Sequence, residues 1–139
     1  MDLCVRAMIL QDCEAVMAVW RAAEGVGLSS TDSPQGFARF LDRNPGLSFV
    51  AEEAGDIVGG VLCGHDGRRG YIHHLAVRAD CRRRGVASIL VRRCLDELAA
   101  QGIDKCHLFV FADNQAAIAF WQAGGWTPRA DLAVMSHFT

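Results

Sequence analysis

The chain has 139 residues, of which 51% are hydrophobic and 22% are charged, and its formal net charge is −2. This length and composition predict a single globular domain over residues 1–139 and exclude a disordered chain. No apolar run approaches the roughly 20 residues of a membrane span, and the first residues do not resemble a signal peptide. The six cysteines form no C-x-x-C pair, so we expect free thiols in the cytoplasm and neither a disulfide nor a metal site.

The first half of the chain alternates between strand-like and helix-like segments. Residues 3–9 predict a first strand, and helical spacing of apolar residues from the N-cap Asp12 to Ala23 predicts a first helix. The pair Ser33-Pro34 predicts the start of a second helix, which ends at Asn44-Pro45. The segments "LSFVAE" and "IVGGVLCG" are expected to form a hairpin, and "YIHHLAV" a fourth strand.

The second half of the chain predicts two more helices and two more strands. Apolar residues from Val86 to Leu98 share one face of a long helix that ends at Gly102. The strand "KCHLFVF" follows, so the strand–helix–strand order predicts two parallel strands joined by a right-handed crossover. A short helix in "NQAAIAFWQA" and an edge strand in "LAVMSHF" complete the pattern.

Positive charge is concentrated around the start of the long helix. Eight of the fourteen Lys and Arg residues lie between positions 68 and 93. A solvated basic face is the common interpretation of such a run, and the lack of interleaved aromatic residues argues against a nucleic-acid site. The sequence "RRRG" at 82–85 favours a more specific hypothesis, because unpaired N–H groups at a helix start, guanidinium groups and an accessible glycine together suit a pyrophosphate. Neither G-x-x-x-x-G-K-[ST] nor G-x-G-x-x-G is present.

Two motifs resemble those of the Gcn5-related N-acetyltransferase (GNAT) superfamily. The signature R/Q-x-x-G-x-G/A occurs as "RRRGVA" from Arg82 to Ala87, directly after a predicted strand. The segment "DNQAAIAFWQAGGW" resembles the later helix motif of the family, and the order of elements fits from residue 3 to residue 138. The resemblance implies an α/β (α+β) GNAT fold, with a mixed, twisted sheet of six or seven strands flanked by four helices. It also implies acetyl transfer from acetyl-CoA to an amine.

The resemblance further implies which residues bind acetyl-CoA. The fourth and fifth strands would separate, the end of the fourth strand would pair with the pantetheine arm, and the loop amides would hold the pyrophosphate. Trp121 stands where many members of the family have a tyrosine that protonates the leaving thiolate. An indole cannot protonate a thiolate. Trp121 is therefore expected to pack on the pantetheine or to line the acceptor site. The residues predicted to bind acetyl-CoA are Leu75, Ala76, Val77, Arg82, Arg83, Arg84, Gly85, Val86, Ala87, Ser88, Asn114, Ala117, Phe120 and Trp121.

The fourth strand would also carry the catalytic groups. Regular alternation would place Tyr71, His73, Leu75 and Val77 on one face and His74 on the other. Arylalkylamine members of the family have histidines at the places of Tyr71 and His73, so His73 is the predicted general base, with a half-buried structural histidine as the alternative. A backbone N–H of Leu75 or a neighbour would stabilise the oxyanion. Tyr71 is a candidate acid, although ordinary strand packing explains it better.

The acceptor is expected to bind near the loop between the first two helices. Glu24 and Asp32 are the carboxylates placed to attract an amine there, with simple solvated loop acids as the alternative. The predicted function is acetyl transfer to the primary amine of a small metabolite. The alternatives are protein N-terminal or lysine acetylation and a non-catalytic acyl-CoA sensor. No nucleic-acid or membrane partner is expected, and the resemblance leaves a homodimer open.

Overall fold

The computed structural model describes residues 2–139, which form two compact units, one ending at Phe109 and one running from Val110 to Thr139. The second unit contains the helix α4 (Gln115–Ala123). Among residues 2–139, none of the helices has both the length and the hydrophobicity of a membrane span. The elements of the first unit are β1 (Leu3–Ala7), α1 (Cys13–Ala22), α2 (Pro34–Arg43), β2 (Phe49–Glu53), β3 (Asp56–His65), β4 (Gly70–Val77), α3 (Val86–Ala100) and β5 (Cys106–Leu108).

Local sequence signals account for several of these boundaries. The Ser33 side chain caps α2 by accepting a hydrogen bond from the Gly36 N–H at 3.0 Å, and Pro34 occupies the first turn. Gly102 ends α3 with a φ of +82°, a conformation that favours glycine. Asp12 precedes α1 as predicted, but its side chain does not cap that helix. Its carboxylate instead forms an ion pair with Arg6 at 2.8 Å.

The strands of the first unit form one mixed sheet in the order β1-β2-β3-β4-β5. Neighbouring strands from β1 to β4 are antiparallel, which confirms the β2–β3 hairpin. Strands β4 and β5 are parallel and are connected through α3, as the strand–helix–strand pattern predicted. The mixed α/β class is confirmed, and the part of the chain that the structure describes contains the four expected α-helices.

The predicted strand count and some strand lengths are corrected by the structure. Five strands are present in residues 2–139, rather than six or seven. Strand β1 ends at Ala7, and β5 covers only three residues of "KCHLFVF". The segment 132–138 alternates in sequence, but it pairs with no strand among the described residues, and its apolar side chains are exposed. Alternation predicts a strand only where a neighbouring strand supplies hydrogen bonds and one face is covered.

Helices cover both faces of the sheet, as two adjacent glycines of β3 show. A Cβ atom at Gly60 would lie 2.2 Å from Val16 of α1, whereas one at Gly59 would lie 3.3 Å from Leu90 of α3. Because successive strand residues face opposite sides, α1 and α3 lie on opposite faces of the sheet. The buried cluster on the side of α1 and α2 comprises Met8, Val16, Met17, Val19, Trp20, Phe37, Val50, Leu62 and Ala76.

Candidate active site

Strand β4 contains a β-bulge where the sequence predicted regular alternation. Leu62 of β3 faces His73, whereas Gly60 faces Ala76, so two residues of β4 oppose one residue of β3 between these pairs. His74 lies in this bulge with a φ of +52°, a left-handed conformation that is uncommon outside glycine. The bulge changes which face of the sheet each later residue of β4 occupies.

The bulge therefore corrects the predicted arrangement of side chains on β4. Tyr71 and His73 do share a face, and their rings stack with centroids 6.5 Å apart. Val77 does not belong to that face, because it pairs with Gly59 on the side of α3. The His74 ring does not point away from His73: the two ring centroids are 6.4 Å apart, and His74 lies 5.3 Å from Trp20 of α1.

Strand β4 also loses its pairing with β5 next to the bulge. The two strands are paired only from Gly70 to Ile72, and within residues 2–139 this pairing does not continue beyond Ile72. The following segment, 73–77, includes Leu75, Ala76 and Val77, which were predicted to contact the pantetheine arm. An open strand edge offers N–H and C=O groups to a ligand that is itself extended, so this segment fits the predicted role.

His73 lies in an aromatic environment on the side of α1 and α2. The Phe40 ring of α2 is nearly perpendicular to it with centroids 5.9 Å apart, and Tyr71 stacks on it. Burial lowers the pKa of His73 below its ordinary 6.5, the nearby His74 lowers it further, and Asp32 opposes this shift. His73 is consequently neutral at pH 7 and able to accept a proton.

The two carboxylates predicted to attract the acceptor have different environments. Asp32 accepts a hydrogen bond from the Ser29 N–H at 2.8 Å through Oδ2, and its Oδ1 lies 2.8 Å from Nε2 of His74. Its side chain is only 8% exposed, so Asp32 is not a solvated loop acid, and its role in acceptor binding stays a prediction. Glu24 is exposed and makes no hydrogen bond or ion pair within residues 2–139, and its role in acceptor binding stays a prediction.

The loop between β4 and α3 presents a series of backbone N–H groups. Ile89 is the first residue of α3 to bond in the helical pattern, to the Gly85 carbonyl at 3.1 Å, which leaves the N–H groups of 86–88 without a helical acceptor. Within residues 2–139, those of 83–85 have no acceptor either. A Cβ atom at Gly85 would meet nothing within 4 Å, so the loop is open to a ligand. These features fit a pyrophosphate group.

The three consecutive arginines of this loop have different partners. Arg82 donates from Nε to the Val77 carbonyl at 3.1 Å and so ties the loop to the end of β4. Arg84 forms an ion pair with Glu53 of β2 and holds the pKa of that carboxyl below its ordinary value. The guanidinium of Arg83 has no hydrogen-bond or ion-pair partner within residues 2–139. The guanidinium of Arg83 is therefore free to take a further partner, and its binding of a phosphate stays a prediction.

The second unit contains the remaining residues that were predicted to bind acetyl-CoA. The Asn114 side chain caps α4 by accepting a hydrogen bond from the Ala117 N–H at 3.1 Å. Trp121 packs edge-on against Phe120 and Trp126, with centroids 5.1 Å apart in each case. Contact of these residues with acetyl-CoA stays a prediction. Within residues 2–139, no group of three or more His, Cys, Asp or Glu side chains is arranged to hold a metal ion.

Comparisons with known proteins agree with this geometry. A model of the acetyltransferase (GNAT) family matches residues 13–126. An acetyltransferase of Pectobacterium atrosepticum is 37% identical over 118 residues, which cover 85% of this chain and 83% of that protein. One of Sodalis glossinidius is 35% identical over 118 residues, covering 85% of this chain and 82% of that protein.

Solved structures show the same fold at lower identity. Ard1 from Thermoplasma volcanium matches with a TM-score of 0.81 and 23% identity, over 91% of this chain and 84% of that chain. The PaiA N-acetyltransferase from Thermoplasma acidophilum, solved in complex with coenzyme A, has a TM-score of 0.76 and 15% identity, over 89% of each chain. With the family model and the curated relatives, these matches establish that the chain belongs to the GNAT family and is an N-acetyltransferase that uses acetyl-CoA.

Proposed function

We propose that this enzyme transfers the acetyl group of acetyl-CoA to the primary amine of a small metabolite. The observation that carries the proposal is the enclosure of His73. Phe40 of α2 and Tyr71 contact its ring, and the turn between α1 and α2 is bound to the adjacent His74 through Asp32. An enclosed proton acceptor favours a compact amine over an extended peptide, which would need an open groove.

The residues of the first unit have distinct roles in this proposal. The loop amides from Arg83 to Ser88 hold the pyrophosphate, and the open edge of β4 binds the pantetheine arm. Bound acetyl-CoA supplies an acetyl group on a thioester. His73 accepts the proton that the ammonium form of the acceptor must lose, since a free amine is required for attack. The backbone N–H of Leu75, in the bulge, donates to the carbonyl oxygen of the acetyl group.

Tyr71 is better explained as part of the wall of this site than as an acid. Its ring neighbours those of His73 and Phe109, with centroids 6.5 Å and 6.4 Å away. Trp121 cannot supply a proton to the thiolate either, because an indole N–H is far too weak an acid. A thiol with a pKa of about 8.5 leaves without assistance at a useful rate. Acetyl transfer therefore does not require a tyrosine at position 121.

The proposal treats both compact units as one acetyltransferase domain. The family model runs from residue 13 to residue 126 and so includes most of the first unit and the helix α4. We also propose that the protein is cytoplasmic, since six free thiols suit a reducing compartment. A homodimer stays a prediction of the family resemblance, and sedimentation of the purified protein tests it.

A thiol-release screen tests the proposed acceptor class. Purified enzyme, acetyl-CoA and a thiol reagent are combined with small primary amines in one set and with lysine-containing or free N-terminal peptides in another. We expect thiol release with members of the first set, and a rate lower by roughly 10²–10⁴ for His73→Gln. His137→Gln, which changes an exposed histidine near the chain end, is the matched control. Activity confined to peptides contradicts the proposed acceptor class, and an unchanged rate for His73→Gln contradicts the proposed base.

A further inference from the structure

The hydrogen bond between His74 and Asp32 connects two segments that are 42 residues apart in the sequence. His74 lies in the bulge of β4, and Asp32 ends the short 3₁₀ turn Ser30–Asp32 between α1 and α2. The two side chains are 17% and 8% exposed, and the distance from Nε2 to Oδ1 is 2.8 Å. This contact is therefore a largely buried link between the loop on the acceptor side and the strand with the proposed base.

Both ends of the link are held by further contacts. The second carboxylate oxygen of Asp32 accepts from the Ser29 N–H at 2.8 Å, and the Ser29 hydroxyl accepts from the Thr31 N–H at 3.3 Å. On the other side, the His74 ring packs against Trp20, which is buried and donates from Nε1 to the Gly60 carbonyl at 3.2 Å. Neither Asp32 nor His74 can turn away without breaking these contacts.

The backbone of His74 provides an independent observation. A φ of +52° is unfavourable for an L-residue, and such conformations persist where surrounding contacts hold them. The bond to Asp32 and the contact with Trp20 are the side-chain contacts that keep this residue in place. Because His73 is the preceding residue, any rotation at the bulge moves its ring relative to Phe40 and Tyr71.

We propose that His74 and Asp32 are positioning residues for acetyl transfer, because their hydrogen bond fixes the bulge of β4 and thereby the position of His73. This inference rests on the proposed function, in which His73 accepts the proton of the acceptor amine. The link acts on the geometry of the acceptor side, whereas the loop that holds the pyrophosphate begins beyond the end of β4. Its loss therefore lowers turnover by a larger factor than it lowers the affinity for acetyl-CoA, because the pyrophosphate contacts lie outside the bulge.

A double-mutant cycle tests this inference. His74→Gly removes the side chain but suits the left-handed backbone, and Asp32→Ala removes the carboxylate. We expect each change to lower kcat by roughly 10²-fold, the cost of a small misplacement of a reacting group. The combined variant should be no slower than either single variant, because both changes break the same link. Glu14→Gln, a change at an exposed acid of α1 that has no hydrogen bond or ion pair within residues 2–139, should retain the activity of the unchanged enzyme.

Two outcomes overturn the inference: wild-type kcat in His74→Gly, or losses that multiply in the combined variant. Asp32→Asn is the conservative variant: its amide can still bond to both Ser29 and His74, so we expect it to retain most of the activity that Asp32→Ala loses. Hydrogen exchange of the backbone amides in residues 29–33 provides a readout that does not need catalysis. We expect faster exchange of this turn in His74→Gly, and unchanged exchange contradicts the link even if the unchanged enzyme shows no turnover with any acceptor.

Discussion

The substitution Gly36→Ala should destabilise the protein, although helix propensity alone predicts the opposite. Gly36 lies in the first turn of α2, where alanine is favoured over glycine by roughly 0.8–1.0 kcal/mol. However, a Cβ atom at this position would lie 2.0 Å from the Thr31 carbonyl oxygen, so the two backbones must separate by about 1.4 Å to reach the 3.4 Å of ordinary contact. Overpacking of this kind costs about 1–3 kcal/mol. The net result is a loss of about 1 kcal/mol.

The same substitution should also lower activity, because Thr31 precedes Asp32. The Asp32–His74 distance of 2.8 Å does not survive a displacement of that size.

Thermal unfolding measures the loss of stability in Gly36→Ala, and we expect a Tm about 2–6 °C below that of the unchanged protein. Gln35→Ala, at the neighbouring exposed position of α2, is the control and should not lower the Tm. A Tm for Gly36→Ala above that of the unchanged protein would refute the reasoning.

Three further predictions follow from individual contacts. Arg83→Gln should weaken acetyl-CoA binding, measured by calorimetry, and leave the Tm unchanged. Arg84→Gln should instead lower the Tm, because Glu53 loses its cation. If both changes weaken binding equally, the two arginines do not have these separate roles. In a profile of kcat/KM against pH, the midpoint of the acid limb should lie below pH 6.5, because burial lowers the pKa of His73. A midpoint above pH 6.5 argues against His73 as the base. Gly60→Ala should reduce the free energy of unfolding, measured in urea, by about 1–3 kcal/mol, because the added Cβ would clash with a buried valine of α1. An unchanged midpoint of the urea transition contradicts that packing.

Much of the first unit could be predicted because its signals are local. The cap at Ser33, the β2–β3 hairpin and the parallel pair β4–β5 each depend on a short pattern or on the order of neighbouring elements. The loop after β4 was likewise recognised from "RRRGVA", since a helix start and its preceding residues are adjacent in the sequence. The failed edge strand at 132–138 shows the limit of a local pattern, because alternation does not specify a pairing partner.

The details of the site could not be predicted, because they depend on long-range contacts. Regular alternation along β4 requires that each residue pairs with one residue of the neighbouring strand. The extra residue at the bulge breaks this pairing after His73, so the later side chains lie on the faces opposite to those predicted. A histidine with positive φ has no sequence signature of the kind that glycine provides. Nothing in the sequence around Asp32 indicates its hydrogen bond to His74, which lies 42 residues later. The separate roles of the three arginines likewise depend on Glu53 and Val77, which the motif does not include.

The most direct test of the central claim is the rate of thiol release from acetyl-CoA in the presence of a small primary amine, measured for the unchanged enzyme and for His73→Gln. We expect one thiol released for each acetylated amine, and a rate for His73→Gln that is lower by roughly 10²–10⁴ at pH 7 while acetyl-CoA still binds. Thiol release that proceeds equally fast in His73→Gln would show that His73 is not the base, and an enzyme that binds acetyl-CoA but acetylates no small amine would contradict the proposed acceptor class.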